Sequence, residues 1–287
     1  MAELKKVGVL GGGMMGCEIA WCFANIGCDV VLKDMTLEFA EKGKNSLEKP
    51  LARLIKKGKI TEDEKAAGLA RITPVDNYDL FTDVDLVIEA IFEDLKIKQE
   101  NFKELDKICK PECVIATNTS SLSVTKLASV VGPDRVDKFV GMHFFSPVSV
   151  MRLVEVVAAL ETSDETIEFA IECCKKIGKT AIKVKDVPGF ALNRLLMAMN
   201  IEAIRLITEN VISPEDIEVA CRLGAGYPMG PFTLMDLTGL DLNLKIAEIF
   251  FEAYGERYMP PPLFKQKVDA NHLGRKTGKG FLNHEKK

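Results

Sequence analysis

Between positions 8 and 21 the chain reads GVLGGGMMGCEIAW, and this stretch narrows the possible folds more than any other. Lys5 to Leu10 reads as a short buried strand. Gly11, Gly13 and Gly16 then form a G-x-G-x-x-G frame. From Met14 to Asn25 the apolar residues Met15, Ile19, Cys22, Phe23 and Ile26 are spaced to share one helical face, and Gly27 marks the stop. Cys28 to Lys33 reads as a second strand, ending at Asp34. A glycine frame is informative when a strand precedes it, a helix follows it and an acidic residue ends the next strand. Each glycine then has a task. Gly11 permits the tight turn, Gly13 lets the backbone approach a diphosphate, and Gly16 lets helix and strand pack closely. Gly11, Gly12, Gly13, Met14, Met15 and Gly16 make up the expected cofactor cradle, with backbone N–H groups and the helix dipole facing the anion. Asp34 is placed to accept from ribose hydroxyls and to repel a 2′-phosphate, which favours NAD over NADP. Lys33 and Lys44 are nearby cations that weigh against that preference.

A chain of 287 residues exceeds what one compact core usually holds, so two domains are expected. The composition changes after Lys185, and Val187-Pro188 is the candidate boundary, giving domains 1–187 and 188–287. A net charge of −4 argues against a general nucleic-acid surface. MAELKKVGVL lacks the apolar run of a secretory leader, and no stretch is long enough to span a bilayer. The eight cysteines include no CxxC pair and no zinc-ligand spacing, so no metal is expected. They read as reduced, mostly buried thiols of a cytoplasmic protein.

The first domain keeps alternating strands and helices. Met35 to Lys57 has the spacing of one long amphipathic helix, Lys57-Gly58-Lys59 turns it, and Thr61 caps a returning helix to Ala70. This helical hairpin is an insertion in a minimal nucleotide-binding fold. Its tip carries Lys56, Lys57 and Lys59, either a solvated turn or a contact to an anionic substrate tail such as a phosphate. Val84 to Ala90 and Cys113 to Thr117 read as buried strands flanking a helix from Leu95 to Cys109. Glu89, Glu93 and the loop Asn118-Thr119-Ser120-Ser121 lie at strand carboxyl ends, where open parallel sheets bind ligands. Ser121 or Ser123 can equally serve as a helix cap.

Of three histidines, His143 alone lies in an apolar, strand-like setting, within FVGMHFFSP at 139–147. The next strand, Arg152 to Ala158, carries Glu155 between two valines. A carboxylate there is costly unless paired. An imidazole beside it would satisfy it and would itself be oriented as a general base. Beyond Pro188 the chain reads as helices, Phe190 to Ile207, Pro214 to Leu223, Pro231 to Leu237, Leu240 to Tyr254 and Pro261 to Asn271. The first is apolar on most faces and is expected to be buried all round, partly against a second copy of the chain, which makes a homodimer the expected assembly.

GVLGGGMMG, DLVIEA, ATNTSSL, GMHFFSPVSVMRLVEVV, PGFALNR, YPMGPFTLMDLTGLD and GRKTGKGF together resemble the L-3-hydroxyacyl-CoA dehydrogenases over essentially the whole chain. The resemblance implies a Rossmann-type doubly wound domain that binds NAD, followed by an all-α domain that dimerises, acting on an acyl-CoA thioester. It places His143 on the family's catalytic base and Glu155 on its partner. Ser120 and Asn193 fall on residues contacting the substrate's oxygens, and Asp34, Glu93, Lys98 and Ser120 on cofactor contacts. Lys57 falls near a coenzyme A contact. In two places the chain departs from the pattern. Ser146 stands where the family's HFFNP has an asparagine at the nicotinamide end, and Pro50 where some relatives place a serine that contacts coenzyme A. The implied reaction is hydride transfer between NAD(H) and a 3-hydroxyacyl-CoA, with 3-hydroxybutyryl-CoA and acetoacetyl-CoA the favoured pair. Longer acyl chains, or a non-catalytic NADH-binding relative of the lens-crystallin kind, are alternatives. A lysine base of the β-hydroxyacid dehydrogenase kind does not fit, since no lysine lies between Lys185 and Lys245.

Overall fold

The computed structural model describes residues 4–284. Two compact units divide the chain, Met1–Val187 and Pro188–Lys287.

The first unit is built on one eight-stranded sheet in the order β3-β2-β1-β4-β5-β6-β7-β8. In chain order its elements are β1 (Lys6–Leu10), α1 (Met14–Ala24), β2 (Asp29–Lys33), α2 (Leu37–Ser46), α3 (Glu48–Lys56), α4 (Glu62–Ala70), β3 (Ile72–Val75), β4 (Leu86–Glu89), α5 (Leu95–Ile108), β5 (Val114–Thr117), α6 (Val124–Ala128), β6 (Phe139–Phe144), β7 (Leu153–Ala158), α7 (Asp164–Lys176) and β8 (Thr180–Lys185). Strands β1 to β6 run parallel, β7 is antiparallel to β6, and β8 is parallel to β7. This is the α/β doubly wound architecture. Strand order reverses between β1 and β4, the place where such sheets hold ligands.

The central strands explain themselves. VGVL, LVIE and VIAT are buried runs, and such runs suit a parallel sheet covered on both faces. Helix α1 departs from the one-faced pattern expected of it. Gly16 to Trp21 are all buried, Ile19 and Phe23 fully, whereas Ile26 lies beyond the helix and is 39% exposed. The expected helix from Met35 to Lys57 is broken into α2 and α3 at Leu47. Pro50 supplies the reason, because it has no N–H to give the Ser46 carbonyl and its ring would crowd it. The returning helix α4 opens as foreseen, with Thr61 and Glu64 forming a reciprocal capping box. The insertion is therefore three helices and not a two-helix hairpin.

The second unit comprises α8 (Leu192–Thr208), α9 (Pro214–Val219), α10 (Pro231–Thr238), α11 (Leu240–Tyr254) and α12 (Pro262–Asp269), all-helical around Ile201, Ile204, Phe232, Met235 and Phe264. Helix α8 starts two residues later than expected, because Phe190 has φ 50° and cannot belong to it. Nor is α8 buried all round within the chain, since Leu195 is 69% exposed. Helix α9 ends at Val219 and widens into a π-type turn over Ala220–Gly224, short of the expected helix to Leu223.

Candidate active site

The cradle after β1 is shaped by close approaches. Gly11 has φ 103°, and a Cβ there would stand 2.5 Å from the Ala90 carbonyl oxygen at the end of β4. A Cβ on Gly16 would stand 2.0 Å from the Gly11 carbonyl oxygen, so α1 can meet the loop only through a glycine. Gly13 differs, since nothing lies within 4 Å of its would-be Cβ. Its side is open space at the N-terminus of α1, the cradle a diphosphate needs. A residue that the sequence reading passed over, Gly43 of α2, completes the packing, as its Cβ would stand 2.2 Å from the Gly12 carbonyl oxygen.

Asp34 braces the loop. Its Oδ2 accepts from Gly12 N at 2.6 Å and its Oδ1 from Met35 N at 2.6 Å. The two neighbouring cations are both engaged. Lys44 donates to the Ile72 carbonyl at 2.7 Å, and the Lys33 ammonium lies 4.5 Å from the Tyr78 ring centroid.

At the ends of β4 and β5 lies a buried ionic cluster. The Lys98 ammonium, 1% exposed, donates to Glu89 at 2.5 Å and pairs with Glu93 at 3.1 Å. Glu89, fully buried, also accepts from Thr117 Oγ1 and Ile91 N. Lys98 is thus spent on two carboxylates, and Glu89, expected only as a residue at a ligand-binding strand end, is its deeper partner. Glu93 gathers the NTSS loop, accepting from Thr119 Oγ1, Ser120 N, Ser121 N and Ser121 Oγ. Burial pushes its carboxyl upward, but Lys98 and the hydroxyl donors together hold it below the ordinary glutamate value. Ser123, not Ser121, caps α6. Asn118 ties this loop to β6, its Oδ1 accepting from Phe144 N at 2.8 Å.

His143 and Glu155 face each other across β6 and β7 as register partners. His143 Nδ1 lies 2.8 Å from Glu155 Oε2, with the residues 5% and 0% exposed. An ionised carboxylate only accepts, so Nδ1 carries the proton and Nε2 is the basic nitrogen. Phe145 stacks obliquely on the imidazole at 4.5 Å. Ser146 and Pro147 follow at the carboxyl end of β6.

A cleft of about 840 Å³ opens beside the cradle, lined at one end by Gly12, Gly13 and Asp34. Its α2–α3 wall carries Lys42, Lys49, Arg53 and Lys57. Of the three tip lysines it is Lys57 that lines the cleft, and Pro50 lines it as well. Asn193 belongs to the second unit, half-buried in the first turn of α8. Among the described residues no group of three or more metal-ligating side chains is present, and no helix is long and apolar enough to cross a membrane.

Comparisons with known proteins show the family of the chain. Residues 6–187 match the 3-hydroxyacyl-CoA dehydrogenase NAD binding domain and residues 189–284 the C-terminal domain of the same family. A probable 3-hydroxybutyryl-CoA dehydrogenase of Deinococcus radiodurans is 45% identical over 97% of this chain and all of its own length. The human mitochondrial hydroxyacyl-coenzyme A dehydrogenase is 43% identical, covering 98% of this chain and 92% of its own. The crystal structure of (S)-3-hydroxybutyryl-CoA dehydrogenase from Ralstonia eutropha superposes with a TM-score of 0.94 at 42% identity, covering 99% of this chain and 100% of that one. The cradle, the ion cluster at the ends of β4 and β5, and the His–Glu pair thus stand in a chain that belongs, over nearly its whole length, to the NAD-dependent 3-hydroxyacyl-CoA dehydrogenase family.

Proposed function

We propose that the protein interconverts (S)-3-hydroxybutyryl-CoA and acetoacetyl-CoA, with His143 as its general acid–base. The buried 2.8 Å contact between His143 Nδ1 and Glu155 carries this reading. NAD, when bound, supplies the hydride acceptor at C4 of its nicotinamide, and the open Gly13 cradle and the braced Asp34 fit it. His143 Nε2 takes the proton of the 3-hydroxyl during oxidation and returns it during reduction. Glu155 fixes the ring and stabilises its charged form. Ser120 and Asn193 hold the hydroxyl and thioester oxygens. Glu93 and Ser146 contact the cofactor, and Lys98 acts through Glu93. Lys57, with its neighbours on the α2–α3 wall, meets the phosphates of coenzyme A.

Residues 1–187 form the NAD-binding domain and 188–287 the substrate and dimerisation domain, α8 contributing both Asn193 and the seam between two copies. The enzyme works in the cytoplasm, in fatty acid or butanoate metabolism, without nucleic-acid or membrane partners. The test is NADH consumption with acetoacetyl-CoA and its longer 3-ketoacyl homologues. We expect the highest kcat/KM with the shortest. Binding of NADH without turnover of any thioester would overturn the assignment, and a maximum at long chains would move the substrate.

A further inference from the structure

Helix α1 carries a carboxylate where its neighbours are apolar. Glu18 is 6% exposed, between buried Cys17 and Ile19. An ionised group in such a place is costly unless it is bonded. Its Oε2 accepts from the backbone N–H of Ser149 at 2.6 Å, 131 residues further along the chain.

Ser149 lies in the connection between β6 and β7, the segment that joins the strand of His143 to the strand of Glu155. The same connection is gripped from another side. The Lys179 ammonium, just ahead of β8, donates to the Val148 carbonyl at 2.6 Å and the Met151 carbonyl at 2.8 Å. Val148 is fully buried beneath it. Both charges bear on the Cys22 thiol in opposite senses, Lys179 lowering and Glu18 raising a pKa that burial pushes to about 11. The backbone donor at 149 is therefore met by an acid from the cofactor helix, and the acceptors at 148 and 151 by a base just ahead of β8. Glu18, Pro147, Ser149 and the glycines Gly12 and Gly13 line one cleft.

We propose that Glu18 is a positioning residue. Through Ser149 it fixes the 146–150 connection against the glycine cradle, and so sets where Ser146 stands at the nicotinamide end of bound NAD. An apolar side chain at position 18 would fill the same space, but it would leave the Ser149 N–H without this acceptor. The carboxylate makes the cofactor helix and the reacting hairpin one unit.

The inference rests on the dehydrogenase reading above, and its test is chosen to fail separately. NADH affinity and amide exchange across residues 146–151 are measured without any thioester, for the wild type, Glu18→Ala and Glu18→Gln. Loss of one charge-assisted hydrogen bond predicts about a tenfold weaker Kd for NADH in Glu18→Ala and faster exchange at Ser149. Glu18→Gln keeps a carbonyl acceptor and should recover most of both. Wild-type affinity and exchange in Glu18→Ala would overturn the proposal. So would a Glu18→Gln protein as impaired as Glu18→Ala, with the melting temperature lowered equally in both, since that marks a purely structural role. Where Glu18→Ala does not fold, Glu18→Met decides, because it fills the same space without an acceptor, and unchanged Ser149 exchange and NADH affinity in it overturn the role. A wild-type enzyme inactive on every 3-ketoacyl-CoA would sink the dehydrogenase reading alone.

Discussion

In the cradle after β1 what is offered to a ligand is room, since around Gly13 no heavy atom lies within 4 Å of a would-be Cβ. On β6 and β7 the atoms that the proposed reaction uses belong to side chains, His143 and Glu155, 5% and 0% exposed. One place functions by leaving space, the other by filling it. The first can be lost by adding a side chain without harming the core. The second can be lost by trimming one, with little effect on what the first can bind. The ion cluster of Glu89, Lys98 and Glu93 stands between these extremes, buried at one end and open to the NTSS loop at the other.

The deepest cut into this contrast is His143→Ala. It should lower kcat by about 10²–10⁴, the usual share of a general base, while NADH affinity measured by fluorescence stays near wild type. Near-normal turnover would remove the assigned role. Lys98→Met attacks stability instead. It strands Glu89 without its cation, and breaking a buried pair in this way costs about 3–5 kcal/mol in a denaturant titration. Gly13→Val sharpens the comparison from the other side. The melting temperature should barely move, because the added atoms enter open space, while NADH binding weakens by about 10–100-fold through lost charge-assisted contacts. Gly16→Ala, whose Cβ would stand 2.0 Å from a carbonyl oxygen, should lose both together. Equal behaviour of the two glycine variants would erase the distinction. Asp34→Ser should narrow the kcat/KM preference for NADH over NADPH by about tenfold, as one repelling charge is removed.

The smallest expected effect is on acid stability. The folded Glu93 carboxyl titrates below its ordinary value of 4.5, so its contribution is complete above that value and is lost as pH falls through the lowered one. Thr119→Val, which removes one hydroxyl donor, brings the folded value back toward 4.5, so melting temperature should start lower at neutral pH and fall less below pH 4.5 than in the wild type.

The sequence made much of this legible where a pattern has one physical cause. A strand, a glycine frame, a helix and an acid at the next strand end admit few other folds, and β1, α1, β2 and Asp34 fall where that pattern puts them. A carboxylate in an apolar strand demands a partner, and Glu155 has one in His143. What escaped is of three kinds. The edge strands β3 and β8 lack the buried apolar run of the central strands, one holding Pro74 and the other burying none of its six residues. Edges tolerate both, since one side of an edge strand makes no ladder bonds. The break at Leu47 hid because apolar spacing continues across it, although Pro50 was the signal. The last kind is distance. Nothing local links Glu18 to Ser149, Glu89 to Lys98 or Asn118 to Phe144, because these bonds exist only once the sheet has formed.

The cross-strand pairing of His143 with Glu155 has a consequence for how such a chain can change. On antiparallel strands, residues directly opposite point to the same face, and side chains alternate with a period of two. The phase between β6 and β7 is therefore a binary quantity. A duplication or loss of one residue within either strand would turn Glu155 to the opposite side of the sheet unless a bulge absorbed it. Insertions in the connection itself leave the phase intact, provided the ladder from Val140–Ala158 to Phe144–Val154 closes as before. Lengthening the tip of this hairpin thus disturbs what Glu18 and Lys179 hold but not the phase of the strands, whereas β6 and β7 themselves accept substitutions far more readily than length changes.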